Sequence, residues 1–180
     1  MRRLNHIASA LGLAIAASAC VPNAEPPPVA PAPAPTPVPT PAPTPVPQPT
    51  GDWRDWPLTP GNWTYQQDSR GSIASYGQAG SAAVFTMRCD RQQRRIYLSR
   101  QGAAPRALPM TIRTSSETRQ LSASPTRGSS EYMTVMLAAN DRILDAMGFS
   151  RGRFIVEMAP MRTLVIPSWA EVLRVTEDCR

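Results

Sequence analysis

Residues 83–99 read AVFTMRCDRQQRRIYLS, and this stretch decides the fold class. Phe85, Met87 and Cys89 alternate with Thr86, Arg88 and Asp90, and beyond a polar break Ile96 and Leu98 alternate with Tyr97 and Ser99. A period of two with one apolar side is the mark of a strand buried on one face. Asp90-Arg91-Gln92-Gln93 between the two runs is turn chemistry, so the pair is expected to form a hairpin. The same alternation recurs on both sides: Trp63 to Tyr65, Ile73 to Tyr76, Met110 to Thr114, Arg119 to Ala123, Tyr132 to Leu137, then Arg153 to Met158 and Thr163 to Ile166. The links are too short for parallel crossovers, which predicts an antiparallel sheet of about seven to nine short strands.

Two helices complete the expected α+β domain over residues 51–180. Asn140 is placed to cap a short helix through Met147, with Ile143, Leu144 and Met147 on one face and Gly148 as its terminator. Ser168-Trp169-Ala170-Glu171 has the form of a capping box, and Trp169, Val172, Leu173 and Thr176 recur at helical spacing, predicting an amphipathic C-terminal helix packed on the sheet.

The chain upstream has another character. Met1-Arg2-Arg3 is followed by the eleven-residue apolar run Ile7–Ala17 and the small residues Ala17-Ser18-Ala19 ahead of Cys20. A membrane span needs about 20 apolar residues, whereas a positive start, a short apolar run and a small-residue site make a secretory signal, expected at 1–19. Ala17-Ser18-Ala19-Cys20 resembles a bacterial lipobox, although Ala17 stands where Leu is usual and Ala17-x-Ala19 also suits ordinary signal peptidase. Cysteine parity bears on the choice. Of three Cys, Cys89 and Cys179 can pair with each other, leaving Cys20 an odd thiol in an oxidising compartment unless it is lipidated. A redox or metal role for Cys89 and Cys179 lacks C-x-x-C spacing. Residues 20–50 then form a lipid-bearing Cys and linker: 14 of the 28 residues from Pro22 to Pro49 are Pro, a composition that excludes helix and sheet and favours a solvated polyproline rod. At ~3.1 Å per residue such a rod reaches about 90 Å.

Composition restricts chemistry. All 19 basic residues are Arg, there is no Lys, and the single His, His6, lies within the expected signal. Histidine-dependent nucleophilic catalysis, Schiff-base chemistry, a P-loop and a His-containing zinc site are therefore excluded for the processed chain. No cofactor or metal site is expected. The acid-base candidates that remain are carboxylates, Asp141 and Asp145 four apart on the first helix and Glu177-Asp178 beside Cys179, for which helix-dipole complementarity and ion pairing are the simpler account.

The domain carries 17 Arg against 12 acidic residues. Arg88, Arg91, Arg94 and Arg95, with Arg100 and Arg106 following, cluster on the hairpin against Asp90 alone. Guanidinium grips phosphate and carboxylate in a bidentate manner, which makes Arg88, Arg91, Arg94 and Arg95 a candidate anion-binding surface; the alternative is the solvated face of a sheet. Nucleic acid is not expected, since no nucleic-acid module is recognisable. Trp53, Trp56 and Trp63 are read as core cover where the linker joins the domain, with a carbohydrate platform as the alternative.

W-x-Y-x-x-D-x-R-G-S (Trp63–Ser72), M-R-C-D (Met87–Asp90) and I-P-S-W-A-E-x-x-R-x-x-E-D-C-R (Ile166–Arg180) together resemble uncharacterised envelope proteins of high-GC proteobacteria. The layout is also similar to single-disulfide accessory domains of the type VI secretion and invasion-associated kind. The resemblance implies a periplasmic or lipid-anchored domain with a Cys89–Cys179 bridge and carries no activity to transfer. The expectation is a non-enzymatic outer-membrane lipoprotein facing the periplasm, or a soluble periplasmic protein. Its membrane contact is the lipid anchor and its partners are peptidoglycan, an anionic envelope polymer or another envelope protein. An inhibitor or accessory subunit of an envelope enzyme or secretion system is the second expectation, and a carboxylate-dependent wall hydrolase the third.

Overall fold

In the computed structural model, residues 49–126 and 131–180 are described. Among the described residues nine strands form one antiparallel sheet: β1 (Asn62–Asp68), β2 (Gly71–Gly77), β3 (Phe85–Asp90), β4 (Arg95–Gln101), β5 (Leu108–Arg113), β6 (Thr118–Pro125), β7 (Tyr132–Ala138), β8 (Arg153–Glu157) and β9 (Leu164–Pro167). Helix α1 (Arg142–Gly148) lies between β7 and β8, and α2 (Ala170–Asp178) follows β9. The strand order is β1-β2-β3-β4-β7-β6-β5-β8-β9. The α+β fold expected from alternation is the fold observed, with β3 and β4 in the predicted hairpin, Phe85 opposite Arg100 and Cys89 opposite Ile96.

The sheet has two halves joined through β6, which pairs with β5 from Thr118 to Ala123 but reaches β7 only through Ser124 and Pro125. Its outer edges are tied together. The Thr59 amide donates to the Val165 carbonyl at 2.9 Å, the Val165 amide donates to Thr59 Oγ1 at 2.9 Å, and the buried indole of Trp63 on β1 donates to the Pro167 carbonyl on β9 at 2.9 Å. The inward residues therefore enclose a core. Trp63 packs on Tyr76 and Phe85 at centroid distances of 5.3 and 6.4 Å, and Phe85 on Phe154 at 5.9 Å, tilted geometries favoured by the ring quadrupoles. Met87, Ile96, Leu98, Met110, Ile112 and Met133 fill the space between, joined by Ile143, Leu144 and Met147 from α1 and Val172 and Val175 from α2.

Cys89 and Cys179 form the disulfide, 5.4 Å between Cα atoms and 90 residues apart in sequence. This bridge explains a correction at α2. The buried face is Val172, Val175 and Thr176, not Trp169, Val172, Leu173 and Thr176, and Trp169 is 45% exposed. With Cys179 held inward, helical spacing carries the inward face back through Thr176, Val175 and Val172, and Trp169, the extended residue ahead of the first helical turn, stands outside that face. The capping box is also absent. Trp169 holds the cap position without a side-chain bond, the Ser168 hydroxyl instead donates to the Met147 carbonyl at 2.7 Å, satisfying the last turn of α1, and Glu171 Oε2 has no hydrogen-bond partner. At α1 the cap is Asp141 rather than Asn140, its carboxylate accepting from the Ile143 amide at 3.0 Å. Gly148 does not end α1 in a left-handed turn; it is the last helical residue, and a Cβ there would collide with the Leu173 side chain of α2. Close helix packing is what requires that glycine.

Candidate binding surface

The turn between β3 and β4 is built around Asp90. One carboxylate oxygen accepts from the Gln93 amide at 3.1 Å and the other from Arg70 at 2.9 Å; the Arg70 bond first, then the turn amides, hold the Asp90 carboxyl below its usual range. The chain re-enters β4 through Arg94, the one non-glycine residue with positive φ, +50°, among the described residues. That backbone region costs an ordinary side chain on the order of 1 kcal/mol or more and is normally left to Gly or Asn.

The four arginines of the candidate anion surface divide. Arg88 is committed to Asp68 at 2.7 Å, and Arg91 donates to the Asp178 carbonyl at 3.3 Å. Arg94 uses one nitrogen on the Arg180 carbonyl at 2.9 Å. The Arg95 side chain has no hydrogen-bond or ion-pair partner among the described residues and stands in solvent. Arg94 and Arg95 together line an open cavity of about 340 Å³ with Gln93, Ala138, Ala139 and Asn140.

Four of the acceptors around this cavity are already used. The Arg94 carbonyl accepts from the Ala139 amide at 3.2 Å, and the Ala138 carbonyl from the Asp141 amide at 3.0 Å. The Ala139 carbonyl takes Arg180 Nε at 3.2 Å, and Gln93 Oε1 takes the Tyr97 hydroxyl at 3.0 Å. What the lining still offers is mainly donors: two guanidiniums, the Gln93 amide nitrogen and the Asn140 amide. No carboxylate is among its residues.

Of the four candidate carboxylates, Asp141, Asp145 and Asp178 lie elsewhere and are engaged, while Glu177 is exposed. Asp141 takes two nitrogens of Arg119, at 3.2 and 2.7 Å, and Asp145 pairs with Arg180 at 2.8 Å, so the two acids four apart on α1 serve different partners. Burial would raise the Asp141 carboxyl, but the Arg119 bonds and the Ile143 amide outweigh it and hold the group below its ordinary range. Asp178 accepts the Tyr65 hydroxyl at 2.5 Å, across 113 residues of sequence, while Arg174 lies 4.0 Å above the Tyr65 ring. Burial pushes the Asp178 carboxyl up, yet Ser72, Tyr65, Arg91 and Arg174 together bring it below the usual range. The buried Ser72 hydroxyl lies outside the geometry of a formed hydrogen bond, so its part there is that of a nearby dipole, and the Tyr65 bond is the firmer contact.

Arg100, read in sequence with the surface cluster, is instead 4% exposed. It follows Ile96 and Leu98 on the inward face of β4 and donates to the carbonyls of Gln101 and Arg162 and to Met161 Sδ; burial pushes its guanidinium down to about 10. Of the tryptophans, Trp63 is core, as expected, while Trp56 is half-buried and donates to the Thr50 carbonyl at 3.1 Å, and Trp53 is half-buried under Arg54 at 4.9 Å. Cys20 and the Pro-rich stretch lie outside the described residues. Among the described residues no helix is long and apolar enough to cross a membrane. No family model, curated protein or solved structure matches the chain.

Proposed function

We propose that the chain is a non-enzymatic cell-envelope lipoprotein that presents a disulfide-tied α+β binding domain on a Pro-rich spacer. The observation that carries this is the third cysteine. With Cys89 and Cys179 bridged to each other, Cys20 is left alone, directly after an eleven-residue apolar run and two small residues. A structural disulfide belongs to oxidising compartments, and acylation converts the remaining thiol into an anchor, each buried methylene contributing about 0.8 kcal/mol. Two or more acyl chains hold a protein on a bilayer, and the spacer lets the domain work at a distance from it. Radiolabelled palmitate is expected to enter the wild type and not Cys20→Ala, and the wild type is expected in the membrane fraction of osmotically opened cells. Equal labelling of the two proteins, or an unprocessed chain in the cytoplasm, refutes the proposal.

A second reading, an accessory or inhibitory subunit of an envelope machine, assigns a partner to Phe149, a large apolar side chain 72% exposed immediately after α1. Cross-linking from intact cells checks it: a discrete adduct lost in Phe149→Ser favours the subunit, and an unchanged pattern rejects it.

A further inference from the structure

We infer that the cavity between the β3–β4 turn and the β7–α1 connection is a binding site for a phosphate monoester dianion. Neighbouring residues on a strand point to opposite faces, so Arg94 and Arg95 as consecutive strand residues would diverge. They converge on one cavity because Arg94 is not in strand geometry. Its φ of +50° turns the chain there. A glycine at this position would make the same turn without steric cost, so an arginine held in that conformation exchanges local stability for a placed guanidinium, the pattern of strain concentrated at binding sites.

The surroundings select the sign and class of the ligand. The backbone carbonyls of Arg94, Ala138 and Ala139 and the Gln93 amide oxygen are occupied, so the charged groups that the lining offers are guanidinium donors. Asp90, Asp141 and Asp145, the acids nearest in sequence, are paired with Arg70, Arg119 and Arg180. Two guanidiniums, even with one Arg94 nitrogen spent on the Arg180 carbonyl, offer more N–H groups than the two oxygens of one carboxylate can use, whereas a phosphomonoester brings three terminal oxygens and close to two negative charges. A volume of about 340 Å³ admits the phosphate and part of the group that bears it.

The site deepens the proposal of a presented binding domain and rests on it for its biological setting. Its test does not depend on the anchor, so palmitate labelling can fail while the site stands, and the reverse. Inorganic phosphate is titrated into the isotope-labelled full chain held in detergent. The expected result is saturable shifts confined to the amides of Gln93 to Arg95 and Ala138 to Asn140. Arg95 has no partner to lose, so Arg95→Gln is expected to weaken phosphate by about tenfold or more, the weight of a charge-assisted hydrogen bond, with an unchanged melting temperature. Arg94→Gly is expected to weaken binding likewise while keeping or raising that temperature. Arg88→Gln, which breaks the pair with Asp68, leaves phosphate affinity as it was. Shifts that do not saturate, equal affinity in Arg95→Gln and wild type, or an equal loss in Arg88→Gln reduce the effect to general charge and overturn the site. Acetate binding as tightly as phosphate overturns the dianion assignment. Glycerol 3-phosphate and vesicles containing phosphatidic acid separate a free ligand from a membrane-borne one. Arg95-dependent binding of either supports the site, and binding of neither overturns it.

Discussion

Reducing the Cys89–Cys179 bridge should cost this domain a large share of its stability. The bridge closes 90 residues, and the chain-entropy relation for that loop gives about −15 cal/mol/K in the unfolded chain, about 4 to 5 kcal/mol at 25 °C. Against a typical total of roughly 5–15 kcal/mol for a domain, a third or more of the margin is at stake. Both sulfurs are buried, Cys89 fully and Cys179 at 3% exposure, so reduction keeps their volume, whereas Cys→Ala adds a cavity penalty of its own. The clean comparison is therefore oxidised against reduced wild type by urea unfolding. With a slope of about 2 kcal/mol/M the midpoint is expected to fall by roughly 2 M, and the slope itself to rise as the unfolded chain expands. Native hydrogen exchange adds a spatial check. Reduction removes the covalent tie between the end of α2 and β3 and leaves α2 to the packing of Val172, Val175 and Thr176, so α2 should open first while β3 and β4 stay protected. A loss below about 1 kcal/mol, or an unchanged slope, refutes the entropic account, and alkylation of two thiols without reductant refutes the bridge.

Trp63→Phe removes the indole donor to the Pro167 carbonyl and part of the core that joins the sheet edges; a loss of about 1–3 kcal/mol is expected in chemical unfolding, and less than 0.5 kcal/mol would mean that the edges are held without it. Gly71→Ala puts a Cβ 2.7 Å from the Cys89 carbonyl at φ +148° and is expected to destabilise by about 2 kcal/mol or more, while Gly80→Ala, with open space around it, should cost less. Asp141 has a folded pKa below the ordinary carboxylate range, so the unfolded state binds more protons as the pH falls; its contribution is present above about pH 4 and lost on acidification through the lowered folded value. Asp141→Asn keeps the cap acceptor but not the Arg119 ion pair, and is expected to flatten the acid limb of a melting-temperature profile; an unaltered limb sinks that assignment.

What the sequence discloses here divides along a physical line. The strands were legible because each buries one face, and a period of two survives in Phe85-Met87-Cys89 and Ile96-Leu98 whatever their partners are. Even Arg100 was legible by parity, two residues past Leu98 on the inward side; its charge argued for solvent, and the Gln101 and Arg162 carbonyls that make burial tolerable come from the strand's end and a loop 62 residues away. The orientation of α2 was only half legible: Val172 and Thr176 belong to both the expected and the observed face, but that Val175 joins them beside Cys179 while Trp169 is an extended cap residue outside the helix is not written in the spacing. The Tyr65–Asp178 bond spans 113 residues and leaves no local trace. The candidate site shows both cases. Its charge was visible as a run of arginines, but a run cannot tell a spent guanidinium from a free one. Arg88 is neutralised by a strand partner's neighbour at Asp68, Arg95 is not neutralised, and Arg94 faces the same cavity as Arg95 because its backbone is left-handed. Binding capacity in a chain whose every basic side chain is arginine is thus set by which acceptors the fold has already consumed, a property of pairing across the sheet that no spacing along the chain encodes.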